Sequence, residues 1–148
     1  METIIRKARL SDIEDLVELL RQLFFLETDF NFDAERQKQG LLLMLDSSQT
    51  RCVMVAESNQ EIIGMCTAQL LVSTAQGTLS GLIEDMVVHH DHRGKGLGSR
   101  LLQSVELWSI ASGASRIQLL ADKQNVTALN FYKNRQWRST QLICLRKS

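Results

Sequence analysis

A chain of 148 residues has the length of one domain, enough to bury roughly 70% of its unfolded surface without a metal or disulfide staple. Its 17 basic and 17 acidic side chains cancel, which argues against a nucleic-acid domain with its basic excess. An apolar share of 44% with 23% charged residues argues against disordered and membrane classes. Proline is absent where average usage near 5% would give about seven, so the turns fall to Gly, Asn, Asp and Ser.

Residues 3–8 read as a strand. Ser11 and Glu14 form a capping box, and Ile13, Leu16, Val17, Leu20 and Leu23 recur at helical spacing, predicting a helix to about Phe25. A second helical stretch runs through Met44, and residues 51–57 and 61–72, separated by Ser58-Asn59-Gln60, predict an antiparallel hairpin. Residues 62–83 carry no charge, but Thr67, Gln69, Ser73, Thr74, Gln76, Thr78 and Ser80 interrupt them, which fits two strands and a turn rather than a bilayer span. Gly77 and Gly81 frame a loop into a strand from Leu82 to Val88. A glycine-rich turn at 93–98 then opens a helix with Leu97, Leu101, Val105 and Trp108 on one face, ended by Gly113. A strand at 116–121, a helix from Asn125 to Lys133 and a last strand from Gln141 to Leu145 complete an α/β chain with a mixed sheet, read as one unit over 1–148. Cys52, Cys66 and Cys144 lie in apolar stretches and read as buried reduced thiols. With charged residues breaking the short apolar runs of the N-terminus, the expected location is cytoplasmic.

The chemistry concentrates where the strand ending Met86-Val87-Val88 meets Arg93-Gly94-Lys95-Gly96-Leu97-Gly98-Ser99. Glycines let backbone N–H groups approach a ligand, and a helix N-terminus adds positive potential, so this turn suits phosphate oxygens. A P-loop requires Ser or Thr after its Gly-Lys, and Lys95 is followed by Gly96. A dinucleotide fingerprint needs its third glycine one position later than Gly98, and too little chain follows for a second half-unit.

The turn resembles that of the GNAT superfamily of acetyl-CoA-dependent N-acetyltransferases, whose Arg/Gln-x-x-Gly-x-Gly/Ala signature matches Arg93-x-x-Gly96-x-Gly98. A second motif of that family, Asn-x-x-Ala-x-x-Phe-Tyr, matches Asn125, Ala128, Phe131 and Tyr132. The resemblance implies a central mixed, mostly antiparallel sheet flanked by helices, and acetyl-CoA as co-substrate. Residues 94–99 would hold its pyrophosphate, and Met86–Val88 would pair with the pantetheine arm as an added strand. The N–H of Met86 or Val88 would polarise the thioester carbonyl. Asn125 would hold the cofactor arm or cap its helix, and Tyr132, the one tyrosine of the chain, would protonate the departing thiolate.

Attack is by an amine that must first lose a proton. Glu84 and Asp85 are costly in an apolar strand without a partner, and in a regular strand they face opposite ways unless a bulge re-aims one. Glu84 is read as base or water-orienting group and Asp85 as acceptor binder; a salt bridge to a neighbouring element is the structural alternative. The run Ile83-Glu84-Asp85 also resembles that of members acting on aminosugar phosphates. Phe24, Phe25, Phe30 and Phe32 with Glu27, Asp29 and Asp33 suit a cation with an apolar body, or are core. Glu27 and Phe30 are taken as acceptor contacts. The expected acceptor is a small amine such as a polyamine, aminosugar or amino acid; the alternatives are a protein or peptide amine, or a non-catalytic acetyl-CoA-binding module. No nucleic acid or membrane partner is expected, and a homodimer is left open. His89, His90 and His92 lie beside Asp91, but consecutive turn residues rarely converge on one ion, so no metal is expected. The chain departs from the family at His90, where many relatives have proline, and at Gln136-Trp137, where Gly-Phe is usual.

Overall fold

The computed structural model describes residues 2–27, 30–47 and 49–148. It divides into two compact units, residues 1–118 and 119–148. In the first, strands β1 (Thr3–Lys7), β2 (Arg51–Ser58), β3 (Glu61–Ser73), β4 (Thr78–Val88) and β5 (Ala114–Leu119) lie side by side in chain order. The first three pairings are antiparallel; β5 follows β4 through a helical crossover and makes the sheet mixed. Helices α1 (Ile13–Leu26), α2 (Ala34–Leu45) and α3 (Leu97–Ala111) cover the sheet.

Side-chain size separates the two faces. Val53, Val55, Met65 and Val87 pack with Ile13, Leu16, Val17, Leu19 and Leu20 of α1 and Leu41 of α2. The alternate positions, Met54 apart, are small: Cys52 pairs with Ala68 and Ala56 with Gly64, and here Leu101 of α3 comes so close that a Cβ on Gly64 would lie 2.8 Å from its Cδ1. Period-two alternation of large and small side chains thus holds two helices at different depths. On α3, Leu97, Leu101, Leu102, Val105 and Ser109 are buried, whereas Trp108 is only half-buried at the edge of that face.

Several expectations are corrected. Helix α1 is not opened by a Ser11–Glu14 box: a 3-10 turn, Leu10–Asp12, precedes it, and the Asp12 carboxylate accepts the Arg9 N–H at 2.7 Å. The β2–β3 turn forms as expected, with Asn59 (φ 51°) and Gln60 (φ 64°) both left-handed. Strand β4 starts at Thr78, so Gly81 lies within a strand; a Cβ there would come within 2.9 Å of Ser109 Oγ and 3.1 Å of Ile117 Cγ2. Glycine there permits close packing rather than a turn.

In the second unit, α4 (Val126–Lys133) is capped by Asn125, whose Oδ1 accepts the Ala128 N–H at 3.0 Å. Residues 141–145 form no strand, and Leu142, Ile143 and Leu145 are more than 80% exposed. Alternation marks a segment that could pair, but hydrogen bonds need a neighbouring strand. Cys144 is exposed with them, whereas Cys52 and Cys66 are buried as expected. Among the described residues no helix is long and apolar enough to cross a membrane.

Candidate active site

Strand β4 is regular to Glu84 and then bulges. Thr67 pairs with Glu84 and Met65 with Val87, so Asp85 and Met86 together oppose Cys66. Asp85 takes φ 53°, a left-handed conformation that costs a non-glycine residue of order 1–3 kcal/mol but that Asp tolerates better than most. The Glu84 carbonyl is pinned, accepting Thr67 Oγ1–H at 3.0 Å and facing Cys66 Sγ at 3.8 Å. Thr67 is almost wholly buried; in the sequence it is a lone hydroxyl in an apolar run, and its role at the bulge was not anticipated.

The bulge separates the two carboxylates by environment. Glu84 is exposed, whereas Asp85 is half-buried. Burial, then the negative charge of Glu84, then that of Glu27 push the Asp85 carboxyl up to about 6. Glu27 follows directly on α1, its N–H donating to the Leu23 carbonyl at 3.0 Å. Glu27, Glu84 and Asp85 therefore share one electrostatic neighbourhood. Phe30 is exposed, its ring 5.6 Å from that of Phe24. Asp29 lies outside the described residues.

Beyond the bulge, Val87 faces the core while Met86 and Val88 are half-buried. Ile117 lies against Gly81, so a parallel β5 ending at Leu119 runs out about level with Ile83, leaving 84–88 extended past it. Arg93 turns back: its Nε donates to the Val88 carbonyl at 3.2 Å, bracing the strand end. Gly94 and Gly96 both have φ 79°, and Gly96 is the left-handed N-cap of α3. A Cβ at either would meet nothing within 4 Å, so each glycine serves the backbone conformation and leaves the outer side open. Arg100 N–H donates to the Gly96 carbonyl at 3.3 Å, while the amides before it stand at a helix start, where no intrahelical acceptor exists. Left-handed glycines flank Lys95, and turns of mixed handedness are where backbone amides can make a concave nest for an anion. Gly94, Lys95 and Gly96 are exposed, Gly98 and Ser99 half-buried, and Leu97 is buried as the anchor.

These features fit a pyrophosphate on the nest and an extended arm along the strand end. The model of the "Acetyltransferase (GNAT) family" matches residues 13–136. The chain belongs to the GNAT acetyltransferase family. As a GNAT enzyme it is an acetyl-CoA-dependent N-acetyltransferase. It is 24% identical over 135 residues to an uncharacterized N-acetyltransferase of Archaeoglobus fulgidus, covering 90% of this chain and 92% of that one. It is 36% identical over 64 residues to the uncharacterized N-acetyltransferase YobR of Bacillus subtilis, covering 40% of this chain but spanning only 26% of that one. The GNAT fold is shared with the aminoglycoside N-acetyltransferase AAC(6')-Iy, solved in complex with CoA: TM-score 0.85, 15% identity, covering 99% of this chain and 95% of that one.

In the second unit, the Tyr132 ring stands edge-on to Phe131 at 5.3 Å and to Trp137 at 6.1 Å. Gln136 occupies the place of the family's usual glycine and adopts φ 70°, and the Trp137 N–H donates to the Tyr132 carbonyl at 3.1 Å. The left-handed turn is kept despite the departure, at a conformational cost.

Proposed function

We propose that the enzyme acetylates a small primary amine and that its proton is taken at the β4 bulge by Asp85, with Glu84 and Glu27 drawing in the ammonium. Sequence alone favours Glu84 for the proton. The bulge half-buries Asp85 while Glu84 stays exposed, and that placement, with burial pushing the Asp85 carboxyl up to about 6, carries the reading. A base with a value of about 6 is ionised at pH 7 and accepts a proton far more readily than an ordinary aspartate. A cationic acceptor is drawn to three carboxylates, and on arrival it offsets the repulsion that raises Asp85.

In the reaction, the deprotonated amine attacks the thioester carbonyl of acetyl-CoA. A backbone N–H at Met86 or Val88 steadies the developing oxyanion, and Tyr132 returns a proton to the CoA thiolate. Residues 94–99 hold the pyrophosphate, reinforced by Lys95, and Asn125 shapes the start of the helix that carries Tyr132.

CoA release measured against pH with polyamines, aminosugars, amino acids and peptide N-termini tests this. The wild type is expected to turn over a small amine with an acid limb near pH 6. Asp85→Asn should lower kcat by roughly 10²–10⁴-fold and abolish that limb, and Tyr132→Phe should lower kcat with little change in KM. An unchanged acid limb in Asp85→Asn would return the proton to Glu84 or water, and turnover of peptides alone would overturn the small-amine reading.

A further inference from the structure

All three histidines of the chain stand between β4 and α3, and the reaction above uses none of them. Contrary to expectation from consecutive turn residues, they converge. The His89 and His90 rings stack with centroids 4.4 Å apart, and one nitrogen of each, with an Asp91 carboxylate oxygen, lie within 4.8 Å of one another. Ligand atoms about 2.0–2.2 Å from a tetrahedral ion stand roughly 3.3 Å apart. His90 Nε2 is 3.2 Å from Asp91 Oδ1, and His89 Nδ1 is 3.9 Å from Oδ2; because the rings stack, one must rotate out of the stack for both to face one ion.

Gln22 of α1 fixes the state of the His90 ring. The His90 backbone N–H donates to Gln22 Oε1 at 3.2 Å, and the same oxygen lies 3.3 Å from His90 Nδ1. An amide oxygen only accepts, so Nδ1 carries the ring proton. Buried Gln22 is itself oriented by donating through Nε2 to Glu18 Oε1 at 3.4 Å. The other ring nitrogen, Nε2, then faces an Asp91 carboxylate oxygen at 3.2 Å, a pair that either a proton or a metal ion between them satisfies. A ring N–H given to a protein carbonyl is the usual support of a metal-binding histidine. His89 Nδ1 accepts the Asp91 N–H at 3.2 Å, a bond it must exchange for the ion when it turns to coordinate. Beside His89 lies a cavity of about 230 Å³ lined by Asp15, Glu18, Leu19, Glu61 and Ile62, whose carboxylates draw cations and whose space admits coordinating water.

We propose that His89, His90 and Asp91 form a site for a divalent transition-metal ion of the zinc or nickel class, with Gln22 as its positioning residue. Two imidazoles and a carboxylate suit these ions, whereas magnesium and calcium prefer all-oxygen sets. Bound there, the ion ties α1 to the segment leading into the acetyl-CoA nest, at the position where many relatives have a rigid proline.

Calorimetry with zinc chloride and nickel chloride tests the site, using the full chain carrying Cys144→Ser to remove the exposed thiol, in a non-coordinating buffer. One ion per chain at micromolar affinity is expected, with magnesium giving no heat. His89→Ala and His90→Ala should each weaken binding at least tenfold, and Gln22→Leu about tenfold. Zinc should move the imidazole nitrogen signals of His89 and His90 and leave those of His92 in place. The His90 side chain is 58% exposed, so its variant keeps the fold, which a thermal melt checks. Affinity weaker than millimolar, unchanged affinity in His89→Ala/His90→Ala, or equal binding of magnesium would each overturn the proposal.

Discussion

Asp12 and Asp85 are both partly buried carboxylates at the margins of the same sheet, and their surroundings are opposite. Asp12 receives a two-pronged contact from Arg6, at 2.9 and 3.1 Å, and the Arg9 N–H; Arg6 also reaches Glu57 at 2.7 Å. Arg6 first, and the Arg9 amide after it, hold the Asp12 carboxyl below its usual range. Asp85 sits on a strained bulge where burial first, and then the charges of Glu84 and Glu27, hold it up. One carboxylate meets its counter-charge within the fold, and the other stands among charges of its own sign. Perturbation by neighbours marks both, so only its direction distinguishes an enzyme's working carboxylate from a structural one.

The largest stability effect should come from breaking the satisfied pair. Arg6→Met strands Asp12 and Glu57 and is expected to cost about 3 kcal/mol in urea unfolding at pH 7. Because a depressed Asp12 contributes above its unfolded value near 3.8 and is lost as pH falls further, the variant should also lose part of the wild type's acid sensitivity below pH 4.

Asp85→Asn should do the reverse and stabilise while inactivating. The folded protein takes up the Asp85 proton at about pH 6, above the unfolded value of 3.8, so wild-type stability falls as pH rises between them. Asparagine removes that cost and tolerates the left-handed φ, with an expected gain of about 1–3 kcal/mol above pH 6 that vanishes below pH 4. A loss of stability at pH 7.5 would mean that Asp85 is a structural residue like Asp12.

Gln136→Gly, at φ 70°, should stabilise by about 1 kcal/mol in thermal melts; no gain would show that Gln136 makes a compensating contact. The smallest effect is a shift alone: Glu84→Gln should move the acid limb of the rate profile below that of the wild type while most of kcat survives, since it removes one repulsive charge from Asp85. A kcat loss matching that of Asp85→Asn would exchange the two roles.

Much of this was legible beforehand. Asn59-Gln60 between two apolar runs specified a hairpin, and the glycines at 94 and 96 the turn into α3, because each requirement is local to the backbone. Glu84 and Asp85 were legible as residues but not as roles. Their difference arises from the pairing of β4 with β3, where Cys66 faces two residues and Thr67 pins one carbonyl, and no spacing within β4 encodes that. Gly81 carries the signal of a loop for a similar reason: the need for a bare backbone is set by Ser109 and Ile117, distant in sequence. The segment 141–145 carries the alternation of a strand with no strand beside it. The Ser11 box failed because Arg6, one strand away, gives Asp12 the stronger claim on the helix start.

The missing side chain at Gly64 reaches further than packing. It sets how near Leu101 comes to the sheet, and Leu101 lies one turn past the left-handed Gly96 that begins α3. The height of the 93–98 turn over the sheet is therefore gauged from beneath, by a residue outside that turn. Enlarging residue 64 by a single methyl would lift the helix and appear in kinetics as a weakened KM for acetyl-CoA, easily mistaken for damage to the nest itself.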